Sequence, residues 1–409
     1  MAKPYFYTMQ LLEVGQSAAL RTEFLQLPVR LYKNDPCWIR PLDDDLESVF
    51  DPKRNKLFEG GECIRWVLKN DTGETIGRVA AFINQKTLKA EKEQPTGGMG
   101  FFECIDDQTA ASKLFDTCRE WLAARGMEAM EGPINFGDRD RWWGLLVEGY
   151  DKEPNYGMPY TKPYYVPFFE AYGFLDYFQQ HTFALPIGYD ELMANGMQQK
   201  VLDRAQAILD NPEYTFEHIQ RNKLPQYAAD FAEIYTKAWA KILGTPDMTT
   251  EKALTLMQKM KPVMEENLVW FGYHGSGPDR KPVAFFIMLP ELNQYFKHVN
   301  GKMDLRGKLT FLYYKLLKPT NKAFGVIFGV VPDYQGKGIE SAIAIAYPSR
   351  EVWGGKKHQF SKMELNWIGD FNVRMIRFSK MLGGKISKRH ITYRFLFDRE
   401  KEFKRHKVV

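Results

Sequence analysis

Hydrophobic and polar positions along the 409-residue chain repeat one order of elements in two separate stretches. Alternating segments bounded by turn residues predict strands, and apolar residues at three- and four-residue spacing predict helices. In the first stretch, strands are predicted at 63–69, 75–84, 100–105, 127–133 and 178–185, and helices at 110–125 and just before Gly173. In the second stretch, strands are predicted at 267–273, 282–289, 322–331, 362–368 and 391–397, and helices at 227–242, 336–352 and 372–381.

Strands and helices in this order are typical of the α/β fold class with a mixed sheet (α+β). The chain is longer than one compact domain, so two domains are expected. The sequence therefore predicts two domains, each a mixed, mostly antiparallel sheet with flanking helices, rather than one long sheet. The boundary falls in the polar helical stretch between Pro186 and Pro212, which gives domains at 1–190 and 191–409.

Composition excludes several classes of protein. Apolar residues make up 44% and charged residues 26% of the chain, as in ordinary soluble domains. The longest apolar run, 324–331, is far shorter than the roughly 20 residues of a membrane span, and the start shows no signal-peptide pattern. The four cysteines form no C-x-x-C pair and no cluster with metal-ligand spacing. We expect a cytoplasmic protein with reduced thiols and no metal site.

The positive charge is concentrated at the carboxyl terminus. Residues 385–409 carry nine Lys/Arg against three Asp/Glu, or +6, while the whole chain carries only +5. A net charge this small does not predict nucleic-acid binding. A basic terminus could attract phosphates or an anionic lipid surface, which predicts a peripheral membrane contact there; the alternative is a solvated terminal strand.

The sharpest motif follows the predicted strand 322–331 and opens a helix. It reads Val330, Val331, Pro332, Asp333, Tyr334, Gln335, Gly336, Lys337, Gly338 and Ile339. The two glycines remove side chains, so a ligand can approach the backbone, and the unpaired amides of a helix start favour an anion. The Walker phosphate loop and the G-x-G-x-x-G dinucleotide loop are both absent. The segment therefore predicts an anion site of another kind.

A second motif covers residues 363–384. On the predicted strand, Glu364, Asn366 and Ile368 share one face. Polar side chains on a face that is otherwise core need partners or a wet cleft. One interpretation of Glu364 is therefore a structural carboxylate whose hydrogen bonds are satisfied.

These two motifs together resemble the GNAT superfamily, the acyl-CoA-dependent N-acyltransferases. The signature Gln/Arg-x-x-Gly-x-Gly/Ala is matched at Gln335 and Gly338 and departs at Glu340, where a carboxylate stands in place of Gly or Ala. The resemblance implies acetyl-CoA or a longer acyl-CoA as co-substrate. The residues implied to hold it are Val330, Val331, Gln335, Gly336, Lys337, Gly338, Ile339 and Asn372; Asn372 alternatively caps its helix.

The same resemblance implies the catalytic groups. The backbone around 329–331 would pair with pantetheine and polarise the thioester carbonyl. Glu364, on the same face as Asn366, would face the acceptor amine as the general base, acting directly or through a water. Many family members have a tyrosine general acid seven residues after the Asn, where this chain has Ser379. Tyr393 or His390 on the last strand is the substitute, unless the thiolate leaves unassisted.

The first stretch is similar to the same family, with residues 100–103 as its fourth strand. Its counterpart of the anion loop, residues 104–111, has no glycine and two acids. We therefore expect a degenerate copy that does not hold CoA. Residues 132–144 are rich in aromatic residues and charges, and they either line an acceptor groove or pack between the domains.

The resemblance implies transfer of an acyl group from acyl-CoA to a primary amine, with a small-molecule or lipid (sphingoid-like) acceptor and no nucleic acid. Two alternatives remain open. One is a non-catalytic acyl-CoA sensor or partner protein, which Glu340 and the missing tyrosine favour. The other is a tRNA-dependent aminoacyl transferase. The acceptor, the acyl length and the oligomeric state do not follow from the sequence.

Overall fold

The computed structural model describes residues 8–85, 88, 94–137, 139–239, 248–347 and 359–407. Two predicted helix ends, Ile242 and Val352, lie outside these residues. The strands are β1 (Gln10–Glu13), β2 (Glu62–Lys69), β3 (Thr75–Ile83), β4 (Thr96–Cys104), β5 (Ala129–Gly132), β6 (Leu145–Glu148), β7 (Leu175–Pro186), β8 (Tyr214–His218), β9 (Val269–His274), β10 (Lys281–Pro290), β11 (Lys322–Val330), β12 (Lys362–Gly369) and β13 (Lys385–Leu396). The α-helices are α1 (Ala18–Leu31), α2 (Asp43–Val49), α3 (Gln108–Ala123), α4 (Tyr165–Tyr172), α5 (Tyr189–Ala194), α6 (Gln199–Leu209), α7 (Leu224–Trp239), α8 (Thr250–Met260), α9 (Asn293–Phe296), α10 (Leu305–Leu317), α11 (Ile339–Ala346) and α12 (Val373–Met381).

Several helices begin where a short polar side chain satisfies the backbone. Asp107, Asp304 and Asn372 each accept a hydrogen bond from a backbone N–H in the first turn of α3, α10 and α12. Gly173, with a φ of 106°, ends α4 in the left-handed conformation, as the sequence predicted for that position. Local capping therefore fixes these four helix boundaries beside the sheet.

The strands of the described residues form one 13-stranded mixed sheet. Its order is β1-β2-β3-β4-β5-β13-β7-β12-β11-β10-β9-β8, with β6 pairing to β13 outside this path. The β4–β5 and β11–β12 pairs are parallel and the other pairs are antiparallel. The mixed α/β fold class is confirmed, but the expectation of two separate sheets is wrong, because β7 and β13 hydrogen-bond the two halves into one sheet.

The last strands of the two halves are exchanged. β13, which ends the second half, lies between β5 and β7, while β7, which ends the first half, pairs with β12. Phe183 of β7 accordingly lies in the core of the second half, and Tyr393 and Phe395 of β13 lie in the core of the first. The division at residue 190 stays a prediction about chain order, since these two strands lie across it in space.

Helices cover both faces of each half. In the second half, α6 and α11 pack on one face with Ile343 in their core, and α7 and α8 pack on the other over Phe271. In the first half, α3 and α4 cover one face. The sequence places Leu114, Cys118, Trp121 and Leu122 on one face of α3; three of them are fully buried there, and Trp121 is half-buried. Within the described ranges, no helix is long and apolar enough to cross a membrane.

The basic carboxyl terminus is largely neutralised by partners. Six of its nine cations lie within 4.0 Å of a carboxylate: Lys388, Arg389, Arg394, Lys401, Lys404 and Arg405. Lys388 and Arg394 are buried within the sheet. The predicted membrane contact of this terminus therefore gains no support from the geometry.

The exchange of strands predicts that the two halves unfold together. Replacing the fully buried Phe183 by Ala should lower the free energy of unfolding by about 3–5 kcal/mol, because a cavity is left in the core. Near- and far-ultraviolet circular dichroism in urea should show one transition that shifts as a whole. Leu175→Ala, at an exposed position of the same strand, is the control and should change stability by less than about 1 kcal/mol. Two transitions, of which only one moves, would contradict the prediction.

Candidate functional site

A gap opens in the second half between the parallel strands β11 and β12. They pair only from Lys322 with Lys362 to Gly325 with Leu365, and beyond that point no pairing joins them. β12 is also irregular there, because its register against β7 shifts between Leu365 and Ile368. The backbone of β11 from 326 to 330 thus has one side free of a neighbouring strand. We call this gap the cleft.

The segment between β11 and α11, residues 335–340, forms a tight loop that we call the anion loop. Gly336 and Gly338 have φ angles of 75° and 104°, which residues with side chains rarely adopt. A Cβ atom at Gly338 would lie 3.0 Å from the carbonyl oxygen of Arg204 in α6. At Gly336 nothing lies within 4 Å of such an atom. Gly338 therefore packs the loop against α6, while Gly336 faces open space.

The anion loop presents bare amides. Among the described residues, no acceptor is found for the backbone N–H groups of Lys337, Gly338, Ile339 and Glu340. The helix itself begins later than predicted, at Ile339, whose side chain is fully buried and anchors this end in the core. A helix start with unsatisfied N–H groups favours a phosphate-bearing ligand, because the amides and the helix dipole both point at it. The residues present fit a diphosphate.

One amide of the loop is taken by the loop's own carboxylate. The N–H of Gly336 donates to Oε1 of Glu340 at 2.7 Å. Both residues lie outside the packed core, so the carboxylate can rotate away without disturbing it. Glu340, the residue that departs from the family signature, therefore competes with an incoming anion for this amide.

The other end of the loop ties back to β11. The N–H of Val331 donates to the carbonyl of Val283 at 2.9 Å, which directs the neighbouring peptide group of Val330 toward the cleft. Gln335 Nε2 donates to the carbonyl oxygen of Val330 at 3.0 Å. The expectation that Val331 offers its backbone to a ligand is wrong, since its amide is engaged with β10. Val330 remains directed at the cleft.

Two further residues of the loop region were singled out by the sequence. Lys337 is exposed, and its ammonium lies 5.7 Å from the ring centroid of Tyr334. Asn372 caps α12 by accepting a hydrogen bond from the N–H of Met375 at 3.1 Å. Of the two interpretations given for Asn372, capping is the one that the geometry shows.

An apolar cavity lies behind the cleft, between the sheet and helices α11 and α12. Its enclosed part has a volume of about 30 Å³, and the volume is about 530 Å³ when the open space at its mouth is counted. Its walls are Leu185, Pro186, Ile187, Leu192, Phe286, Met288, Phe328, Ala344, Tyr347, Met363, Leu365, Met375, Phe378 and Leu382. Phe328 and Leu365 belong to the two strands that border the cleft, so the cavity lies beside it. A space lined in this way suits an alkyl chain.

Glu364 is a buried counterion. Its carboxylate accepts hydrogen bonds from Lys388 Nζ at 2.7 and 2.9 Å and from Ser387 Oγ at 2.8 Å, and Lys322 Nζ lies 2.8 Å away. Burial raises the pKa of Glu364, but the charges of Lys388 and Lys322 outweigh burial and hold the pKa at about 2. A carboxylate this acidic is a poor proton acceptor, so the geometry favours the structural interpretation over the general base.

Asn366 lies at the edge of the cleft. Its Oδ1 accepts a hydrogen bond from the N–H of Trp367 at 2.9 Å, which stabilises the irregular turn of β12. Trp367 in turn donates from Nε1 to the carbonyl of Arg139 at 3.0 Å. The aromatic segment 132–144 of the first half therefore lies against β12. Its contact with the strand beside the cleft is compatible with both predicted roles, a groove wall and packing between halves.

The proposed proton donors do not lie at the cleft. Ser379 is fully buried and donates to the carbonyl of Met375 within α12. Tyr393 is buried in the first-half core, 5.5 Å from the ring of Phe169, with its hydroxyl 3.5 Å from Glu170. His390 is also buried, and burial lowers its pKa to about 4. The assignment of Tyr393 to the site of the second half is corrected, because the strand exchange places β13 in the other half.

The first half repeats the cleft without the anion loop. β4 and β5 pair only from Thr96 with Ala129 to Gly98 with Glu131 and then separate. The start of α3 is closed, because Asp107 accepts hydrogen bonds from the N–H groups of Thr109 and Ala110 at 2.7 and 3.1 Å. A carboxylate therefore fills the position that an anion would need. The absence of CoA from this half stays a prediction, and its physical basis is this cap.

Glu103 of β4, to which the sequence assigns no role, lines a second cavity of about 80 Å³, or about 760 Å³ with the open space at its mouth. The carboxylate accepts hydrogen bonds from the hydroxyls of Tyr32 and Tyr165, each at 2.9 Å, and Arg78 lies 3.7 Å away. Burial raises the pKa of Glu103. The only signal available in the sequence was an acidic residue inside an otherwise apolar strand.

Two curated bacterial proteins resemble the chain along most of its length, although no protein-family model matches it. Protein YghO of Escherichia coli is 25% identical over 380 residues, which cover 90% of this chain and 91% of that protein. A protein of Caulobacter vibrioides named bacterial ceramide synthase is 25% identical over 378 residues, covering 90% and 93%.

Solved structures show the architecture. A tandem GNAT protein from the clavulanic acid biosynthesis pathway matches with a TM-score of 0.51 at 11% identity, covering 95% of this chain and 99% of that one. The chain has a tandem GNAT fold. The glucosamine N-acetyltransferase region of a fungal multi-domain GH3 β-N-acetylglucosaminidase matches with a TM-score of 0.52 at 13% identity, covering 95% of this chain and 38% of that one. The GNAT architecture expected from the two motifs is confirmed, and at these identities the likeness extends to the fold alone.

Glu364 is expected to matter for stability. Glu364→Gln leaves Lys388 buried without its counterion, which should lower the free energy of unfolding by about 3–5 kcal/mol near neutral pH. The folded-state pKa of about 2 lies below the unfolded value of about 4.3, so this contribution is present above about pH 4.3 and is lost as the pH falls toward 2. Urea unfolding across this range should show the loss in the wild type and not in the variant.

The matched control is Glu148→Gln. It removes the more exposed ion pair between Glu148 and Arg389, and Arg389 is the neighbour of Lys388 on β13. We expect a change of at most about 1 kcal/mol for it. Equal effects of the two substitutions would show that Glu364 is not the buried counterion described above.

Proposed function

We propose that the protein transfers a long acyl group from acyl-CoA to the primary amine of a long-chain lipid amine. The observation that carries the proposal is the row of bare amides at 337–340, which starts α11 beside the cleft where β11 and β12 separate. In a GNAT fold this is where a pyrophosphate can be held while the thioester reaches the free edge of a strand.

Each part of the site would bind a different part of acyl-CoA. The amides of the anion loop would hold the pyrophosphate, with Lys337 adding positive charge at its rim. The peptide of Val330 would face the pantetheine arm and the thioester carbonyl, after Gln335 releases its carbonyl or shares it. The apolar walls of the cavity would enclose the acyl chain and exclude water from the thioester.

The reaction needs little covalent help from the protein. The amine nitrogen attacks the thioester carbonyl, the C–N bond forms, and the C–S bond breaks with its electron pair going to sulfur. The nitrogen loses one proton and the CoA thiolate takes one up. Because Glu364 is held as a counterion, we propose that solvent in the cleft beside Asn366 receives the proton, and that positioning supplies most of the rate enhancement.

Two observations favour a lipid amine over a small one. The cavity beside the cleft is lined by apolar side chains, so its surface suits the hydrocarbon chain of a lipid substrate better than it suits a small polar molecule. The relative in Caulobacter vibrioides carries the name ceramide synthase, and a ceramide is the amide of a fatty acid with a long-chain amino alcohol. The same kind of acceptor is therefore the first to test here.

Glu340 should weaken CoA binding. Glu340→Gln removes a negative charge beside the pyrophosphate and loosens its hold on the Gly336 amide, so CoA should bind about two- to fivefold tighter, as expected for about 0.3–1 kcal/mol at a helix start. Isothermal titration with CoA measures this change. Asp333→Asn, an exposed acid just before the loop, is the control and should leave the dissociation constant within about twofold. Weaker binding by the Glu340 variant would contradict the proposed loop.

Acyl transfer should depend on chain length. With palmitoyl-CoA and sphinganine, release of free thiol and formation of the amide by mass spectrometry should exceed the rates with acetyl-CoA. Ala344→Trp fills the cavity, and it should lower kcat/KM for palmitoyl-CoA at least about tenfold while changing acetyl-CoA turnover little.

Other outcomes of this assay have definite meanings. CoA binding without thiol release for any amine in a panel would support the non-catalytic acyl-CoA-binding protein instead. Equal loss with both acyl donors in the Ala344 variant would show that the cavity does not hold the acyl chain.

A further inference from the structure

Helix α10 exposes a row of large apolar side chains that no part of the described chain covers. Between 48% and 76% of the surface of each is accessible: Leu305, Leu309, Leu312, Tyr313, Leu316 and Leu317. The helix is anchored on its other side, where Phe311 packs on Tyr295 and Phe296 at 5.5 and 5.4 Å and Tyr314 stacks on His298 at 3.6 Å. It is therefore a fixed element with an apolar outer face.

The exposed residues form one continuous stripe. At about 100° per residue, Leu312, Leu305, Leu316 and Leu309 fall within an arc of about 60°, and Tyr313 and Leu317 extend it to about 140°. An arc of this width is that of a helix lying on or in an apolar phase. Scattered surface leucines would show no such arrangement.

The stripe on α10 is accompanied by positively charged side chains. Residues 302–318 contain five cations, Lys302, Arg306, Lys308, Lys315 and Lys318, and one acid, Asp304, which is used as the cap of α10. Among the residues that the structure describes, none of the five cations lies within 4.0 Å of a carboxylate. Lys308 and Lys315 lie beyond one edge of the stripe, and Arg306 lies within its other side, between Tyr313 and Leu317.

We infer that α10 docks the protein on an anionic lipid bilayer, with its leucines in the acyl boundary and its cations at the headgroups. A second copy of the chain explains the stripe less well, because symmetric contact would bring the cations of both copies together. An anionic bilayer satisfies both features at once, since it offers apolar depth and a negative surface.

The position of α10 suits this role. Four residues separate the end of α10 from the start of β11, and β11 forms one wall of the cleft. The connection is held by a hydrogen bond from the N–H of Thr320 to the hydroxyl of Tyr295 at 3.2 Å. On the other side, the N–H of Asp43 donates to the carbonyl of Gly301 at 2.8 Å and fixes the approach to α10 on the first half. Docking through α10 thus brings the start of β11 close to the bilayer. The inference goes beyond the proposed function and does not depend on it.

Flotation of the full-length protein with phospholipid vesicles tests the inference. We expect binding to phosphatidylcholine vesicles with about 30 mol % phosphatidylglycerol and at least about tenfold weaker partition to pure phosphatidylcholine. Leu309→Gln/Leu312→Gln/Leu316→Gln should reduce partition to the anionic vesicles at least about tenfold. Leu175→Gln/Leu209→Gln/Leu256→Gln replaces three leucines exposed elsewhere and should leave partition unchanged.

A charge variant and an oligomer measurement complete the test. Arg306→Gln/Lys308→Gln should lose most of the preference for anionic lipid. The inference is overturned if the wild type does not bind anionic vesicles, or if the α10 variant floats like the control. It is also overturned if light scattering shows a dimer that the α10 substitutions convert to a monomer while vesicle binding is unchanged.

Vesicle binding needs no substrate. If thiol release from acyl-CoA is absent while flotation is as expected, the proposed reaction fails and the docking surface stands. If the wild type and the α10 variant turn over a water-soluble amine at equal rates, the α10 substitutions have changed membrane binding without changing the reaction.

Discussion

Two twelve-residue strands, β7 and β13, lie side by side at the centre of the sheet. β7 belongs to the first half of the chain and pairs with β12 of the second half, whereas β13 belongs to the second half and pairs with β5 of the first. Their pairing joins the cores, since Phe183 reaches one and Tyr393 the other. It also brings Lys388 of β13 to Glu364 of β12 across β7, so that the buried ion pair forms only when both halves are assembled. The geometry beside the cleft therefore depends on this exchange.

The local parts of this architecture could be predicted from the sequence. The repeated order of elements, the α3 stripe at Leu114 and Cys118, and the glycine loop at 336–338 follow from periodicity and from backbone chemistry within a few residues. The exchange could not be predicted, because the alternation of β13 fits a place in either half equally well. The position of β13 places Tyr393 in the core of the first half and not at the cleft. It also pairs Glu364 with Lys388, a contact that the sequence of β12 does not indicate.

The two halves show two ways to treat the start of the helix that follows the fourth strand. In the first half, Asp107 caps α3 with two hydrogen bonds and is part of the helix boundary. In the second half, Glu340 reaches back to a single amide of Gly336, and four more amides remain without an acceptor among the described residues. The first arrangement is built into the fold, whereas the second leaves most of the site open. The difference follows from glycine at 336 and 338, where the first half has none.

A shared sheet also makes the two halves of the tandem fold depend on each other mechanically. In a tandem protein whose halves form separate sheets, one half could be lost without destabilising the other. Here the first half supplies the strand on which β12 is built, and it receives β13 in return. Removing the first half would take β7 away from β12 and destabilise the second half as well. The persistence of the first half at full size therefore requires no activity of its own, only the mechanical dependence that the crossed strands create.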